Sequence, residues 1–206
     1  MDAAGRKEAS EFWLDGELVG EVWWDEGRPG IAVGRRGGKK YGYLVEYHEG
    51  TVSYAEPFVD GLQHGWAKQY TRKGRLLIAN PYVRGTGTDY FCNSRGELQE
   101  EHPIVDRRLS GFDRWWTDRT SVHEETHYVA GEKHGIVRHW SGGKLSPEYP
   151  KYFVNGEEVS RERYLEAARR DPTLPAHRPE DDSPERTLPE RFLELRRRAL
   201  KRSRAR

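Results

Sequence analysis

Thr51–Gly61 reads TVSYAEPFVDG, and the chain writes this stretch repeatedly. It returns as RLLIANPYVRG at Arg75–Gly85, ELQEEHPIVDR at Glu97–Arg107 and SVHEETHYVAG at Ser121–Gly131. A stretched copy, KLSPEYPKYFVNG, closes the series at Lys144–Gly156. Every copy sets an aromatic or aliphatic residue before a Val, and all but one end on Gly. The end points fall 24, 22, 24 and 25 residues apart. Self-similarity at such a period marks a repeat architecture.

Between the copies lies a second conserved frame of glycines and rings. Gly61 is followed by Gly65, Tyr70 and Gly74, and the same spacing gives Gly38/Gly42/Tyr47/Gly50 and Gly131/Gly135/Trp140/Gly143. Arg107/Gly111/Trp116/Thr120 keeps the frame with two glycines replaced. Large residues stand first and fifth after the second Gly: Tyr43 and Tyr47, Trp66 and Tyr70, Phe112 and Trp116, Ile136 and Trp140. On a strand those positions share a face. HEGT, TRKGR, NSRGE and SGGK read as hairpin loops in which Gly supplies φ > 0. Pro57, Pro81 and Pro103 mark where the returning strand ends or bends. One unit is therefore strand, tight turn, strand, glycine corner. Five or six of them over residues 11–156 make a mainly β fold, an elongated antiparallel meander of hairpins.

The pattern Gly-x-x-x-Gly, four residues, aromatic, two or three residues, Gly, at a period near 24, resembles the MORN repeat. It is closer still to the bacterial YwqK-type variant, often labelled an antitoxin. The resemblance covers about residues 16–156 and is best at GLQHGWAKQY and GEKHGIVRHW. It implies a twisted open sheet with a grooved face, and roles in protein–protein scaffolding, lipid-headgroup contact or immunity-type pairing. It implies no catalysis.

Composition agrees with a thin sheet. Hydrophobic residues make up 34% of the 206 positions and charged residues 33%, too polar for a thick core. Stacked repeats, each packed only on its neighbours, tolerate this. No apolar run reaches the roughly 18 residues of a membrane span. The start, MDAAGRKEASEF, lacks the apolar stretch of a signal peptide. Cys92 is the only cysteine, so no internal disulfide forms, and a cytoplasmic location is expected. The net charge of +1 hides an asymmetry: residues 191–206 carry eight Lys and Arg against Glu194 alone.

The flanks read differently from the repeats. Residues 1–10 are polar and expected to fray. In residues 157–170, Ser160 is an N-cap candidate for a helix over Arg161–Arg170, with Tyr164, Leu165 and Ala168 as its apolar face. Residues 171–186, DPTLPAHRPEDDSPER, are Pro-rich and charged, which reads as a linker. In residues 187–206, Thr187 and Glu190 form a capping box for a basic helix with a Phe192, Leu195, Ala199, Leu200 stripe.

His123-Glu124-Glu125-Thr126-His127 matches the HExxH pattern of zinc peptidases. That chemistry needs a helix, where i and i+4 share a face. Here the motif falls in a copy of the repeated strand. Four residues of strand span about 13 Å, too far for two imidazoles to share a zinc. It is read as a chance match; no catalytic residue, metal or cofactor is expected. His64 and His134 share one repeat position and read as locally bonded corner residues. The rings form two series: Tyr47, Tyr70, Trp116 and Trp140 at one position, and Phe58, Tyr82, Tyr128 and Phe153 at another. One series packs the sheet; rings on the other face would bind a partner. Trp66, Tyr70, Tyr82, Trp116, Tyr128 and Trp140 are the candidates for contact with another protein. Arg196, Arg197, Arg198, Lys201 and Arg202 are the candidates for contact with nucleic acid or an anionic membrane, although a basic run also serves as a solvated helix end.

Overall fold

The computed structural model describes residues 8–204. Among these, seventeen strands follow one another as an antiparallel meander, and two α-helices come after them. Residues 1–7 of the segment expected to fray lie outside the described residues, whereas Ala9 and Ser10 already belong to the first strand. The chain divides into two compact lobes: Met1–Thr86 with Glu194–Arg206, and Gly87–Leu193.

The first lobe contains β1 (Ala9–Leu14), β2 (Glu17–Asp25), β3 (Arg28–Arg36), β4 (Lys39–His48), β5 (Thr51–Val59), β6 (Leu62–Gln63), β7 (Gly65–Tyr70) and β8 (Leu76–Val83). Each long strand pairs with the one before it, and β6 and β7 both pair with β5. The next strands are β9 (Thr86–Cys92), β10 (Leu98–Val105), β11 (Arg108–Leu109), β12 (Gly111–Trp116), β13 (Val122–Val129), β14 (Glu132–Ser141), β15 (Lys144–Leu145), β16 (Lys151–Val154) and β17 (Glu157–Val159). Here β11 and β12 pair with β10, and β15 and β16 with β14, which repeats the arrangement of the first lobe.

The corners explain the repeat. Val59 pairs with Leu62 and Val154 with Glu157, leaving two-residue loops whose members both have positive φ, as at Asp60 (52°) and Gly61 (82°). Such loops match the twist of a hairpin, and Gly adopts them without steric cost. Each corner amide then reaches back to the preceding corner. Gly61 N–H donates to Lys40 O, Gly85 to Gln63 O, Gly131 to Leu109 O and Gly156 to Lys133 O, all at 2.8–2.9 Å. The period near 24 is the chain length needed to bring one corner under the next.

The second glycine of each frame is a bulge. After Gly61 the strand runs two residues, His64 N–H bonds Pro57 O, and Gly65 turns at φ 118° against the Pro57 ring. Ser110, Gly111 and Pro103 do the same. The prolines thus lie within their strands, opposite the bulge, where a missing N–H is tolerated. Cys92 is buried in β9.

After β17, Ser160 Oγ accepts from Arg163 N–H and starts α1 (Arg161–Ala168). Its Tyr164 is fully buried with Ile136, Tyr152 and Leu174, so α1 covers the last hairpin. The second helix, α2 (Glu190–Arg204), begins behind Pro189 rather than at Thr187. It contributes Phe192 to the second lobe and from Glu194 onward lies with the first. Among the described residues no helix is long and apolar enough to cross a membrane.

The segment expected as a linker, residues 171–186, is packed along the second lobe. Leu174 sits in its core, Val122 N–H bonds Pro184 O, and Arg186 N–H bonds Thr120 O. Proline and charge leave it a single 3-10 turn, Pro179–Asp182, and no α-helix or strand of its own. They did not keep it off the sheet, because its polar groups find partners there.

Candidate aromatic binding face

In the first lobe three large rings stand on one face of the sheet. Register places Phe12 opposite Gly20, Gly20 opposite Gly34, Tyr43 opposite Pro57 and Trp66 opposite Pro81. The row thus alternates rings with glycine and proline, residues that raise no side chain high enough to screen them. Phe12, Tyr43 and Trp66 are 53%, 50% and 38% exposed. Neighbouring strands lie about 4.8 Å apart, so the rings are spaced by roughly 14 Å and 10 Å. Phe12 is held against Gly20, where an added Cβ would meet its ring at 3.8 Å. A Cβ on Gly34 would come within 2.4 Å of Tyr41 O, so this close approach requires glycine.

Trp66 closes the row at a notch lined by Leu76, Ala79, Leu195 and Ala199, with Arg198 and Arg202 on its rim. Leu195 and Ala199 of the α2 stripe make this contact and are buried, Phe192 is buried beside Tyr90 of the second lobe, and Leu200 turns outward. Arg196 reaches back to Leu77 O, and Arg198 pairs with Glu194. Arg197, Lys201 and Arg202 are exposed. The basic run is thus a helix seated on the sheet. With it the first lobe carries 19 Lys and Arg against 13 Asp and Glu, whereas the second carries 16 against 21.

The sequence-based candidates divide. Trp66 is exposed, and Tyr70 and Tyr128 are partly covered. Tyr82, Trp116 and Trp140 are buried and offer no ring to a partner. Trp140 is instead a packing residue whose indole N–H donates to Asp182 O at 2.7 Å. Repeat equivalence aligned these rings correctly, but it carries no information on where the C-terminal segment lies over them. Phe12 and Tyr43, exposed on the same face as Trp66, were not among those candidates. Their signal was available: large rings at positions whose cross-strand neighbours are Gly or Pro.

The second lobe carries a buried charge ladder. Glu101, Arg114, Glu125 and Arg138 are direct cross-strand neighbours on β10, β12, β13 and β14. Arg114 bonds Glu125 at 2.7 Å and Glu101 at 3.3 Å, and Arg138 bonds Glu125 at 3.2 Å. From the packed segment, Arg186 clamps both oxygens of Glu125 at 2.9 and 3.0 Å, and Asp182 takes Arg138 at 3.0 Å. Burial alone would raise the Glu125 pKa, but Arg186 and Arg114 outweigh it and hold the carboxyl below its usual range. Glu101 has fewer cationic partners, and burial leaves it raised. At the same repeat positions the first lobe has Val45, Ala55, Lys68 and Ala79. The change of residue type at a fixed repeat position was the legible sign of this ladder.

The histidines are locally bonded. His64 and His134 each accept, through Nδ1, the amide of the residue before the next corner glycine: Arg84 at 3.3 Å and Asn155 at 2.9 Å. A cleft of about 300 Å³ is lined by Arg108, Glu132, His134, Asn155, Asp171 and Thr173. Its His134 Nε2 meets Thr173 Oγ1 at 3.0 Å and Asp171 Oδ2 at 3.2 Å. Since Nδ1 accepts, Nε2 carries the proton and cannot take one from the threonine hydroxyl. The imidazole therefore cannot serve as the base for Thr173, whose hydroxyl donates instead to Asp171 Oδ1 at 2.5 Å. HExxH lies on β13: His123 is exposed, Glu125 belongs to the ladder, and His127 Nδ1 bonds His134 O. Among the described residues no three His, Cys, Asp or Glu side chains are grouped to hold a metal.

Compared with known proteins, the chain matches no protein-family model, and no curated protein is significantly similar to it in sequence.

Proposed function

We propose that the chain is a non-enzymatic interaction module that binds another protein through the ring-bearing face of its first lobe. The observation that carries this reading is the row Phe12, Tyr43 and Trp66, each at least a third exposed on one face with only Gly and Pro between. Exposed rings on a rigid support bury much area at small entropic cost, which is why aromatic residues dominate binding hot spots. The MORN- and YwqK-like repeat makes an antitoxin or immunity partnership the role to test first. The lone cysteine fits the reducing cytoplasm.

A second reading rests on Arg197, Lys201 and Arg202, which face outward on α2 and would serve nucleic acid or an anionic membrane. Affinity capture from nuclease-treated lysate separates the two. Wild type is compared with Tyr43→Ala/Trp66→Ala and with Lys201→Glu/Arg202→Glu. On the preferred reading one protein is recovered by wild type and by the charge variant, survives added salt, and binds the ring variant about 30-fold or more weakly. Partners that vanish with nuclease, salt or charge reversal would move the function to the helix.

A further inference from the structure

We propose that β1 pairs edge to edge with β1 of a second copy of this chain, forming a reversible antiparallel dimer. Among the described residues β1 is hydrogen-bonded along one side only, to β2. Its other side presents a row of free backbone donors and acceptors, the template on which a further strand assembles. Sheet edges are normally blunted by Lys, Pro, a bulge or shortness. The sequence ASEFWL has neither Lys nor Pro, and the irregularity near Phe12 and Trp13 places its extra residue, Val19, on β2. β1 itself stays regular. By contrast β17 is three residues long, begins with two glutamates and runs directly into α1.

The side chains on this edge choose the kind of occupant. Phe12, Trp13 and Leu14 are consecutive and 53%, 59% and 62% exposed. Consecutive strand residues point to opposite faces. A helix or globular surface laid on one face would cover Phe12 and Leu14 or Trp13, never all three. A strand added in the plane of the sheet flanks all three at once. A second β1 suits the position without charge conflict: antiparallel pairing centred on Phe12 sets Phe12 against its own copy, Glu11 against Trp13 and Ser10 against Leu14. No like charges then meet across the pair.

Area sets the strength. Large apolar side chains bury up to about 150–250 Å², so these three offer roughly 350 Å² per copy at their present exposure. Two copies and their strand backbones come near the lower end of specific interfaces, about 1,200 Å² in total. The dimer is accordingly weak, with a dissociation constant on the order of micromolar.

Sedimentation equilibrium of the full chain, from low to several hundred micromolar, tests this. The proposal expects the mass to rise reversibly from monomer to dimer, with hydrogen exchange at Ala9–Leu14 slowing over the same range. Trp13→Lys and Leu14→Lys should each remove the rise while leaving the circular dichroism melt unchanged, since both side chains are more than half exposed. Neither residue belongs to the ring row, and Trp66→Lys serves as the control that should leave dimerisation intact. A wild type that stays monomeric, a dimer indifferent to both edge variants, or one lost with Trp66→Lys would overturn the proposal.

Discussion

Arg107 stands where every other repeat copy ends on glycine, and the backbone has not adjusted to it. Its φ is 67°, with Asp106 at 48°, so a branched cationic residue occupies the left-handed turn that glycine fills elsewhere. That conformation costs a non-glycine L-residue about 1–2 kcal/mol, part of which glycine returns through its freer unfolded chain. Arg107→Gly should therefore stabilise the protein by about 1 kcal/mol, read as a higher urea midpoint at unchanged slope. No change, or a loss, would mean that the Arg107 side chain is held by contacts that offset the strain. This residue was legible in advance: alignment of the copies marked it as the exception. Tyr82, Trp116 and Trp140 were not, because a ring at a repeat position looks the same whether the face above it is open or covered.

At the scale of elements, the crossing of residues 171–186 over the second lobe is what sequence reading missed. That segment crosses the repeat whose glycines are replaced by Arg107 and Thr120, bonding Thr120 and Val122 beside the hairpin loop that Thr117 N–H closes on Ser121 O. Thr120 is fixed by Asp118, whose carboxylate accepts its amide at 2.7 Å and its hydroxyl at 3.0 Å. Proline and charge read as signs of a linker. Here the charges are the attachment: Arg186 on Glu125 and Asp182 on Arg138. Glu125→Gln keeps the shape but leaves Arg114, Arg138 and Arg186 sharing no anion at that point. Removing one partner from a buried ion network typically costs about 3–5 kcal/mol. The variant should lose stability on that scale in chemical denaturation, and proteolysis should open residues 171–189 first. An ordinary surface effect below about 1 kcal/mol would show that the ladder is not what binds the segment.

For the whole chain, stability should depend on pH at the alkaline side through one residue. His102 lies between Asp113 and Glu100; burial alone would lower its pKa, but the two carboxylates raise it to about 9. An imidazole normally titrates near 6.5. The stabilisation is thus complete below about pH 6.5 and disappears as the pH rises through about 9, a change on the order of 3 kcal/mol. His102→Asn should flatten that alkaline limb, measured as unfolding free energy between pH 6 and 9.5; a limb that persists in the variant would assign it elsewhere. The meander itself was legible at this scale because its cause is local, a corner amide bonded to the corner before it. The make-up of the lobes was not, since nothing in residues 187–206 says which strands their apolar stripe will cover.

That make-up has a consequence for the order in which the molecule can be completed. The first eight strands leave a ribosome before the residues that finish their lobe, for Leu195 and Ala199 lie more than a hundred positions after Leu77 and Ala79. The second lobe is continuous and can close as it emerges. The earliest-made part of the chain is therefore the last to be finished. Until the final helix arrives, the nascent protein carries an uncovered apolar strip beside Trp66, the kind of surface on which chaperones wait.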